Sequence, residues 1–495
     1  MQEPVAHTRQ GAVQGVVENG IAIWRGIPYA AAERFLPPAP PAPWQGLRAA
    51  TAFGPACPQP REQFMQELVG GLRLPESEDC LSLNVWAPAA EGIARPVLVF
   101  IHGGAYETGS GAVPWYDGSS FAGRGDLVVV TLNYRLGPLG FLHLGDLLGP
   151  RYAASGNLGL LDQIAALRWV RDNIGAFGGD PDAVTVMGES AGAGSIGMLL
   201  GMPEARGLFR RAILESGSGQ LGLRSRADAD RMARRLLAAL DIRPEDAEPG
   251  LLGLDARALA DAGQGLGPGM NFSPVLDGAL LPEPPLAALA RGSARDTAIL
   301  IGANRDEYRL LALGNPAWFA GDDQATLALV ERLTGPLPEA VVRHYRQRLP
   351  EGSPYERHVP ILTYLLFVDG LLRTVDAQAA QGAAVFQYRF DWATPVLGGR
   401  LGACHALELP FVFHNLDKPG AERVTGQGPE RAALSEAMHD AWIAFARSGD
   451  PSHAGLPAWP AVQGAARPAM VFSADPHLAA DPWGAERAVW REAGR

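Results

Sequence analysis

Ser190 is the residue of this sequence most clearly placed to act as a nucleophile. It is the centre of the pattern Gly188-Glu-Ser-Ala-Gly192, which follows an apolar, β-branched run and precedes a helix-forming run. This context predicts a strand, a sharp turn and a helix; such a turn strains the serine, and its glycines allow close backbone approach. We therefore expect the Ser190 hydroxyl to lie above a sheet, near the amide-rich start of a helix.

An overlapping pattern in the same stretch is G-x-G-x-x-G, with Glu215 at the end of the next predicted strand. In a dinucleotide-binding site, the first glycine of this pattern closes the strand. Here Gly188 closes the strand, so the second and third glycine positions would be Ser190 and Ala193. The register is wrong for a dinucleotide, and we expect no cofactor.

A pair of glycines follows an earlier predicted strand, residues 97–101. That strand leads into His102-Gly-Gly-Ala-Tyr106. An oxyanion hole needs backbone N–H groups that point at one spot, and glycine dihedrals suit this requirement. The amides of Gly103 and Gly104, together with that of Ala191 after the serine, are predicted to form such a hole.

A serine nucleophile of this kind needs a general base and an acid that orients the base. Among ten histidines, His405 lies on a loop after a late predicted strand, where a base is expected. An intervening strand leads into Asn304-Arg-Asp-Glu-Tyr308, where Asp306 and Glu307 both qualify as the acid. Position on the sheet does not choose between them. The order serine, acid, histidine is the one expected for an α/β-hydrolase sheet.

The basic residues are almost all arginine: of 42 Lys and Arg, only Lys418 is lysine, against 53 Asp and Glu. Lys418 lies in a polar loop, outside the context of a phosphate-binding loop, a Ser-x-x-Lys hydrolase or a Schiff-base lysine. The formal net charge of −11 argues against nucleic-acid or anionic-membrane partners. Neither H-E-x-x-H nor paired C-x-x-C occurs, so we expect no metal site.

The location of the protein is predicted from two patterns. No stretch approaches the roughly 18 apolar residues of a membrane span. The beginning of the chain lacks the basic segment and apolar run of a secretory signal. We therefore expect a cytoplasmic protein with no membrane partner.

The alternation of short β-branched runs with longer amphipathic stretches predicts a central, mostly parallel sheet flanked by helices. We expect a single α/β domain over residues 1–495, with helical cap insertions at about 222–295 and 310–380. The predicted strands are 97–101, 127–134, 184–187, 212–214, 298–301 and 385–390, and the clearest predicted helices are 158–174, 193–200 and 432–447.

Several sequence blocks carry a resemblance over nearly the whole chain. They include Arg25-Gly-Ile-Pro-Tyr29, Ser77-Glu-Asp-Cys-Leu-Ser-Leu-Asn84, Asn133-Tyr-Arg-Leu-Gly137, Glu215-Ser-Gly-Ser218 and His405-Ala-Leu-Glu-Leu-Pro410. With these blocks, the chain resembles a type-B carboxylesterase, of the carboxylesterase/cholinesterase family with the α/β-hydrolase fold. It is most similar to the bacterial para-nitrobenzyl-esterase branch.

The resemblance assigns roles to further residues. It implies that Glu307 is the triad acid and that Ser216 lies beside the triad and helps to orient Glu307. Tyr308 stands where the family has a glycine after that acid. Arg34 and Glu78 match a structural ion pair of the family.

Two cysteines, Cys57 and Cys80, match the first disulfide of the family, although a cytosol would keep them reduced. Cholinesterase-like members carry a tryptophan in the loop between these cysteines, where it stacks on a quaternary ammonium. Here that segment contains Phe64 and no tryptophan, which disfavours choline esters. Cys404, beside His405, is expected to be a packed thiol.

The function implied is hydrolysis of uncharged carboxylic esters, short-chain or aromatic, through an acyl-serine intermediate. The alternative is a carbamate or amide hydrolase that uses the same triad. A non-enzymatic, partner-binding homologue is disfavoured because serine, acid and histidine are all present. We expect a small-molecule substrate and a monomer or small homo-oligomer.

Overall fold

Each of the six strands predicted from apolar, β-branched runs overlaps a strand of the protein, and ten further described strands were not predicted. A computed structural model describes residues 3–60, 74–90, 94–267 and 269–494. Phe64 therefore lies outside the described residues. The strands are β1 (Val5–His7), β2 (Ala12–Gln14), β3 (Val16–Glu18), β4 (Ile21–Pro28), β5 (Leu47–Ala49), β6 (Ser82–Pro88), β7 (Arg95–Ile101), β8 (Val128–Leu132), β9 (Gly179–Glu189), β10 (Arg211–Glu215), β11 (Arg224–Ser225), β12 (Val275–Leu276), β13 (Ala298–Asn304), β14 (Val385–Phe390), β15 (Ala469–Phe472) and β16 (His477–Ala479).

One sheet contains eleven of the described strands, in the order β16-β15-β14-β13-β10-β9-β7-β8-β6-β4-β3. The strands from β15 to β8 in this order are mutually parallel, whereas β16 at one end and β6, β4 and β3 at the other pair antiparallel. The carboxyl ends of parallel strands meet at one edge of a sheet. The loops after β7, β9, β13 and β14 therefore gather at that edge.

Both faces of the sheet are covered, as the continuous apolar runs of the strands predict. Along β7, alternate side chains point to opposite faces. Val97, Val99 and Ile101 join one buried apolar cluster. Leu98 and Phe100 join a second cluster on the other face. The loops at the carboxyl edge are thus carried by strands that are packed on both sides.

All but the last of the described helices lie in the connections between strands. They are α1 (Ser119–Gly125), α2 (Gly137–Phe141), α3 (Gly145–Leu148), α4 (Leu158–Asn173), α5 (Ala191–Leu199), α6 (Arg226–Ala239), α7 (Ala247–Gly253), α8 (Ala256–Gln264), α9 (Pro285–Ala290), α10 (Tyr308–Ala312), α11 (Ala317–Ala320), α12 (Asp323–Thr334), α13 (Glu339–Arg348), α14 (Pro354–Thr363), α15 (Asp369–Ala380), α16 (Leu409–Val412), α17 (Ala421–Thr425), α18 (Glu430–Ser448) and α19 (Gly484–Glu492). Short 3-10 helices lie at Pro114–Tyr116, Pro150–Tyr152, Ser155–Asn157, Ile174–Phe177, Pro203–Ala205, Pro244–Asp246 and Val396–Gly399.

The two segments expected as cap insertions are mainly helical. Helices α6 to α9 lie in the first segment and α10 to α15 in the second. The first also contains β11 and β12, which pair with each other in a separate two-stranded sheet. That these segments act as a cap within a single domain stays a prediction.

The segment Pro354–Ala380 corrects the expectation that no stretch approaches the length of a membrane span. It is a continuous helical stretch of 27 residues, with an 18-residue window of mean hydropathy 1.3. However, 72% of that window is buried inside the protein, as in the core helix of a globular protein. The apolar surface of this segment is therefore satisfied by packing against the rest of the chain.

Candidate active site

Ser190 lies at the turn between β9 and α5 and has φ 55° and ψ −120°. This strained conformation is held because the flanking glycines admit close backbone neighbours. A Cβ on Gly192 would lie 2.0 Å from the carbonyl oxygen of Ile101, and one on Gly188 would lie 2.7 Å from the carbonyl carbon of Gly192. The Ser190 amide donates to the carbonyl of Glu215 on the neighbouring strand (2.8 Å). The turn is thus tied to two strands of the sheet.

His405 lies within hydrogen-bond distance of both Ser190 and Glu307. Its Nε2 is 2.9 Å from Ser190 Oγ, and its Nδ1 is 2.6 Å from Glu307 Oε2. A neutral imidazole with its proton on Nδ1 donates to the carboxylate and accepts the proton of the serine hydroxyl. Glu307 is fully buried, and its Oε1 accepts from the Asn304 amide (2.7 Å). The three side chains therefore form one hydrogen-bonded chain.

Glu189, the residue before the serine, is a further charged neighbour of His405. Its Oε1 lies 3.2 Å from Nε2 of the histidine, and its side chain is only 4% exposed. Burial raises the pKa of Glu189 to about 7. Burial alone would lower the pKa of His405, but the nearby carboxylates of Glu189 and Glu307 outweigh it and raise that pKa to about 9. The site therefore stabilises a protonated imidazole. Sequence reasoning missed Glu189, because only the tertiary structure brings it to the histidine.

The loop after β7 lies directly beside the serine. A Cβ on Gly103 would lie 2.9 Å from Ser190 Cβ and 2.6 Å from Glu189 Oε2, so a glycine is required there. Gly104 has φ 102°, in the region that favours glycine. The amides of Gly103 and Gly104 have no hydrogen-bond acceptor within the described parts of the chain. Gly103 thus lies against Ser190, and both free amides belong to this short loop. Free backbone donors close to the nucleophile are what an oxyanion site requires.

The residues that support this loop were not singled out from the sequence. The Tyr134 hydroxyl donates to the carbonyl of His102 (2.9 Å), and its ring stacks on the His102 imidazole at 4.5 Å. Burial lowers the pKa of His102 to about 4, so this ring is neutral at physiological pH. A neutral, stacked ring therefore fixes the residue that precedes the two glycines.

The structure distinguishes between Asp306 and Glu307, the two residues that both qualify as the acid from the sequence. Asp306 accepts from the Ala403 amide (2.9 Å) and from the guanidinium of Arg305 (2.8 Å), and it makes no contact with His405. Its role is to tie its own loop to the histidine loop. Glu307 is the acid that reaches the imidazole.

Ser216 does not make the contact that was expected of it. It is fully buried with φ 53°, and its Oγ has no hydrogen-bond partner among the described residues. Glu307 is instead oriented by the backbone amide of Asn304.

Two further glutamates are buried behind the histidine. Glu408 accepts from the side-chain amide of Asn304, and Glu215 accepts from the indole N–H of Trp442 (2.9 Å). Burial raises the pKa of Glu408 to about 8 and that of Glu215 well above its usual range. Burial therefore favours the neutral acid form of both side chains.

Comparison with known proteins gives one consistent result. A family model described as the carboxylesterase family matches residues 2–488. The chain belongs to this family. It is 41% identical to the para-nitrobenzyl esterase of Bacillus subtilis (strain 168), with 97% of each chain covered, and 38% identical to the phenmedipham hydrolase of Pseudarthrobacter oxydans, with 92% of each covered.

Among solved structures, a Geobacillus stearothermophilus carboxylesterase superposes with a TM-score of 0.91 at 52% identity, covering 98% of this chain and 99% of the other. The expected α/β-hydrolase fold, with its mostly parallel sheet and flanking helices, is confirmed. The chain is a carboxylic ester hydrolase, and its substrates are small-molecule esters.

Other features expected of a carboxylesterase can be located in the fold. Arg34 and Glu78 form an ion pair, with Nε donating to Oε2 at 2.8 Å. Cys57 and Cys80 are both buried free thiols, not a disulfide. Cys404 is also a buried free thiol whose pKa is raised by burial, so it is a packed side chain and a poor nucleophile.

Tyr308, which replaces a family glycine, needs no special backbone conformation. It is the first residue of α10, and its amide donates to Thr363 Oγ1 (3.2 Å). Its ring packs edge-on against Trp318 at 5.8 Å. The tyrosine is therefore accommodated within a helix and contacts the long helical segment.

Proposed function

We propose that Ser190, His405 and Glu307 form the catalytic triad of this carboxylesterase. The observation that supports this proposal is the continuous hydrogen-bonded chain from Ser190 Oγ through the imidazole to Glu307 Oε2. His405 removes the hydroxyl proton as Ser190 attacks the ester carbonyl, while Glu307 orients the imidazole and stabilises its charged form. His405 then donates this proton to the alkoxy oxygen of the ester, which leaves as the alcohol. Water hydrolyses the resulting acyl-serine.

The amides of Gly103, Gly104 and Ala191 are proposed to bind the oxyanion of the tetrahedral intermediate. The close approach of Gly103 to Ser190 and the free amides of Gly103 and Gly104 support this role. Loss of one such donor in a comparable site costs about 100- to 1000-fold in rate.

The proposed substrates are uncharged carboxylic esters, short-chain or aromatic, of the para-nitrobenzyl or para-nitrophenyl type. The whole-length similarity to a para-nitrobenzyl esterase supports this class. The cytoplasmic location, the monomeric or small homo-oligomeric state and the exclusion of choline esters stay predictions.

Labelling with a fluorophosphonate probe tests the triad directly. We expect a single phosphonyl adduct at Ser190, located by peptide mass spectrometry, and no adduct in Ser190→Ala. Ser195→Ala is a matched control, since Ser195 is a buried serine of the following helix that accepts from Gln163 (3.1 Å). It should label normally. Labelling at another residue, or no labelling together with no turnover of aryl esters, would refute the proposal.

A second candidate activity is carbamate hydrolysis by the same residues. The similarity to a phenmedipham hydrolase over 92% of the chain favours it. A comparison of kcat on a matched aryl ester, carbamate and amide with one aryl leaving group measures the preference. We expect the ester to be turned over fastest, because the carbamate and amide carbonyls are less electrophilic. A carbamate kcat above that of the ester would reverse this order.

A further inference from the structure

A π-helical turn, Tyr364–Val368, interrupts the helical stretch between α14 and α15. Such turns are rare and are found frequently at functional sites. Pro360 lies one turn earlier inside α14 and has no amide hydrogen to donate to the helix. The helix is thus irregular in the part of the segment that passes the active site.

On its inner side, the π-turn contacts the proposed catalytic base. The ring of Phe367 packs against the imidazole of His405, with centroids 4.9 Å apart and planes inclined by 46°. Phe367 is only 4% exposed. The two hydrogen bonds of His405 lie in the plane of its imidazole and do not by themselves prevent the ring from tilting. A packed aromatic face restricts that tilt and keeps water from the ring.

The same helical segment also contacts the loop of the triad acid. Thr363, immediately before the π-turn, accepts the amide hydrogen of Tyr308, the residue after Glu307 (3.2 Å). One short stretch of helix therefore touches both the acid loop and the base.

The π-turn also contacts the last helix of the chain, through Tyr364. Trp490 of α19 stacks on Tyr364 with ring centroids 5.6 Å apart and planes inclined by 8°. Both rings are buried, with exposed fractions of 3% and 4%. Trp490 also directs its indole N–H toward the Tyr345 hydroxyl at 3.5 Å. The C-terminal helix thus packs against the first residue of the π-turn, three residues before Phe367.

We propose that Phe367 is a positioning residue for His405 and that Trp490 supports it from a distance by clamping the π-turn. Trp490 holds Tyr364, the π-turn places Phe367, and Phe367 fixes the tilt of the imidazole between Ser190 and Glu307. This inference rests on the proposed function, since it assumes that His405 is the general base. A small misplacement of a catalytic group lowers kcat strongly and leaves ground-state binding nearly intact.

The test compares kcat and KM for para-nitrophenyl acetate in Phe367→Ala, Phe367→Leu, Trp490→Ala and Trp490→Phe. Trp459→Ala is the matched control, because Trp459 is 2% exposed and packs on Phe386 and Phe472, away from the π-turn. We expect Phe367→Ala to lose about tenfold or more in kcat and Trp490→Ala about threefold, with KM within twofold. Phe367→Leu and Trp490→Phe should restore most of the lost kcat. The Trp459→Ala control should have the wild-type kcat when it is assayed below its melting temperature.

A spectroscopic readout separates positioning from general loss of stability. The His405 Nδ1 proton, shared with Glu307 across 2.6 Å, should give a low-field proton NMR signal. We expect this signal to broaden or move upfield in Phe367→Ala and Trp490→Ala and to persist in Trp459→Ala.

Several outcomes would overturn the inference. An unchanged kcat and an unchanged low-field signal in Phe367→Ala would show that Phe367 does not position His405. A raised KM with an unchanged kcat would show that Phe367 contacts the substrate instead. A lower kcat in Phe367→Ala with an unchanged kcat in Trp490→Ala would show that Trp490 does not support the position of Phe367. These failures differ from failure of the proposed function, which would appear as absent Ser190 labelling in the wild-type enzyme.

Discussion

Ser190 and His405 face each other across 2.9 Å, but the chain holds them by different means. Ser190 is fixed by backbone: a strained turn, two glycines packed against neighbouring backbone, and an amide hydrogen bond to β10. The backbone amide of His405 donates to the Glu307 carbonyl (3.3 Å), but its imidazole is held by side chains from distant parts of the sequence, among them Glu307 and Phe367. The comparison teaches that the proposed nucleophile is held by closely packed backbone, whereas the imidazole of the proposed base is held by side chains.

The largest expected loss of kcat comes from changing Glu307, one of the side chains that hold the His405 imidazole. Glu307→Gln keeps the shape of the carboxyl group but removes its charge and replaces one oxygen with an NH2 donor. Because the Asn304 amide needs the remaining oxygen, the NH2 group would face Nδ1 and favour the wrong tautomer of the imidazole. We expect kcat to fall about 10⁴-fold, as for comparable triads. Asp306→Asn is the matched control, and since Asp306 does not contact His405, its kcat should fall far less. Steady-state kinetics of the two variants decide the matter. A costlier loss in Asp306→Asn would contradict the assignment.

The backbone packing that holds Ser190 can be disrupted without changing any side chain of the proposed triad. Gly192→Ala would place a Cβ 2.0 Å from the Ile101 carbonyl oxygen. We expect a loss of about 1–3 kcal/mol of stability from this overpacking, with kcat reduced because the serine turn shifts. Gly253→Ala, at a helical position where a Cβ meets no atom within 4 Å, is the control. Equal thermal unfolding midpoints for the two variants would disprove the backbone account.

Glu189, the residue before Ser190, is a charged neighbour that raises the pKa of His405. His405 must be neutral to accept a proton, and its pKa is raised to about 9, so kcat/KM should rise as pH increases toward 9. Glu189→Gln removes a negative charge 3.2 Å from the imidazole, which lowers that pKa and moves the acidic limb down by about one pH unit. The pH profile of kcat/KM measures this. A limb that stays in place, or moves up, would exclude Glu189 as a determinant of the His405 pKa.

The smallest effect is expected at Ala406, next to the histidine, which has φ 60°. Ala406→Gly relieves left-handed strain but adds freedom to the unfolded chain, so the free energy of unfolding should change by no more than about 1 kcal/mol. Because side chains hold His405, we expect kcat to stay within about threefold of wild type. Asn19→Gly, at φ 50° in an exposed hairpin turn, is the control for stability. A much larger loss of kcat would show that backbone also fixes the base.

The regular elements were predictable where local pattern dominates. The predicted strand 385–390 coincides with β14, and the helix predicted over 158–174 ends one residue earlier. The strand predicted over 184–187 is only the second half of β9. Its first half contains a turn-like segment that the pairing with β7 accommodates as a register shift. Pairing partners, not local preference, decide such boundaries.

The sequence by itself predicted Ser190 as the nucleophile, the oxyanion loop and the parallel sheet that carries them, because these depend on glycine dihedrals and on patterns within a few residues. It left Asp306 and Glu307 open until the family resemblance was considered, since adjacent residues share a loop. Only the tertiary structure decided that Asn304, and not Ser216, orients Glu307. It also brought Glu189, Phe367 and Trp490 into the support of one histidine. Their separation along the chain conceals contacts that exist only when distant helices and strands pack together.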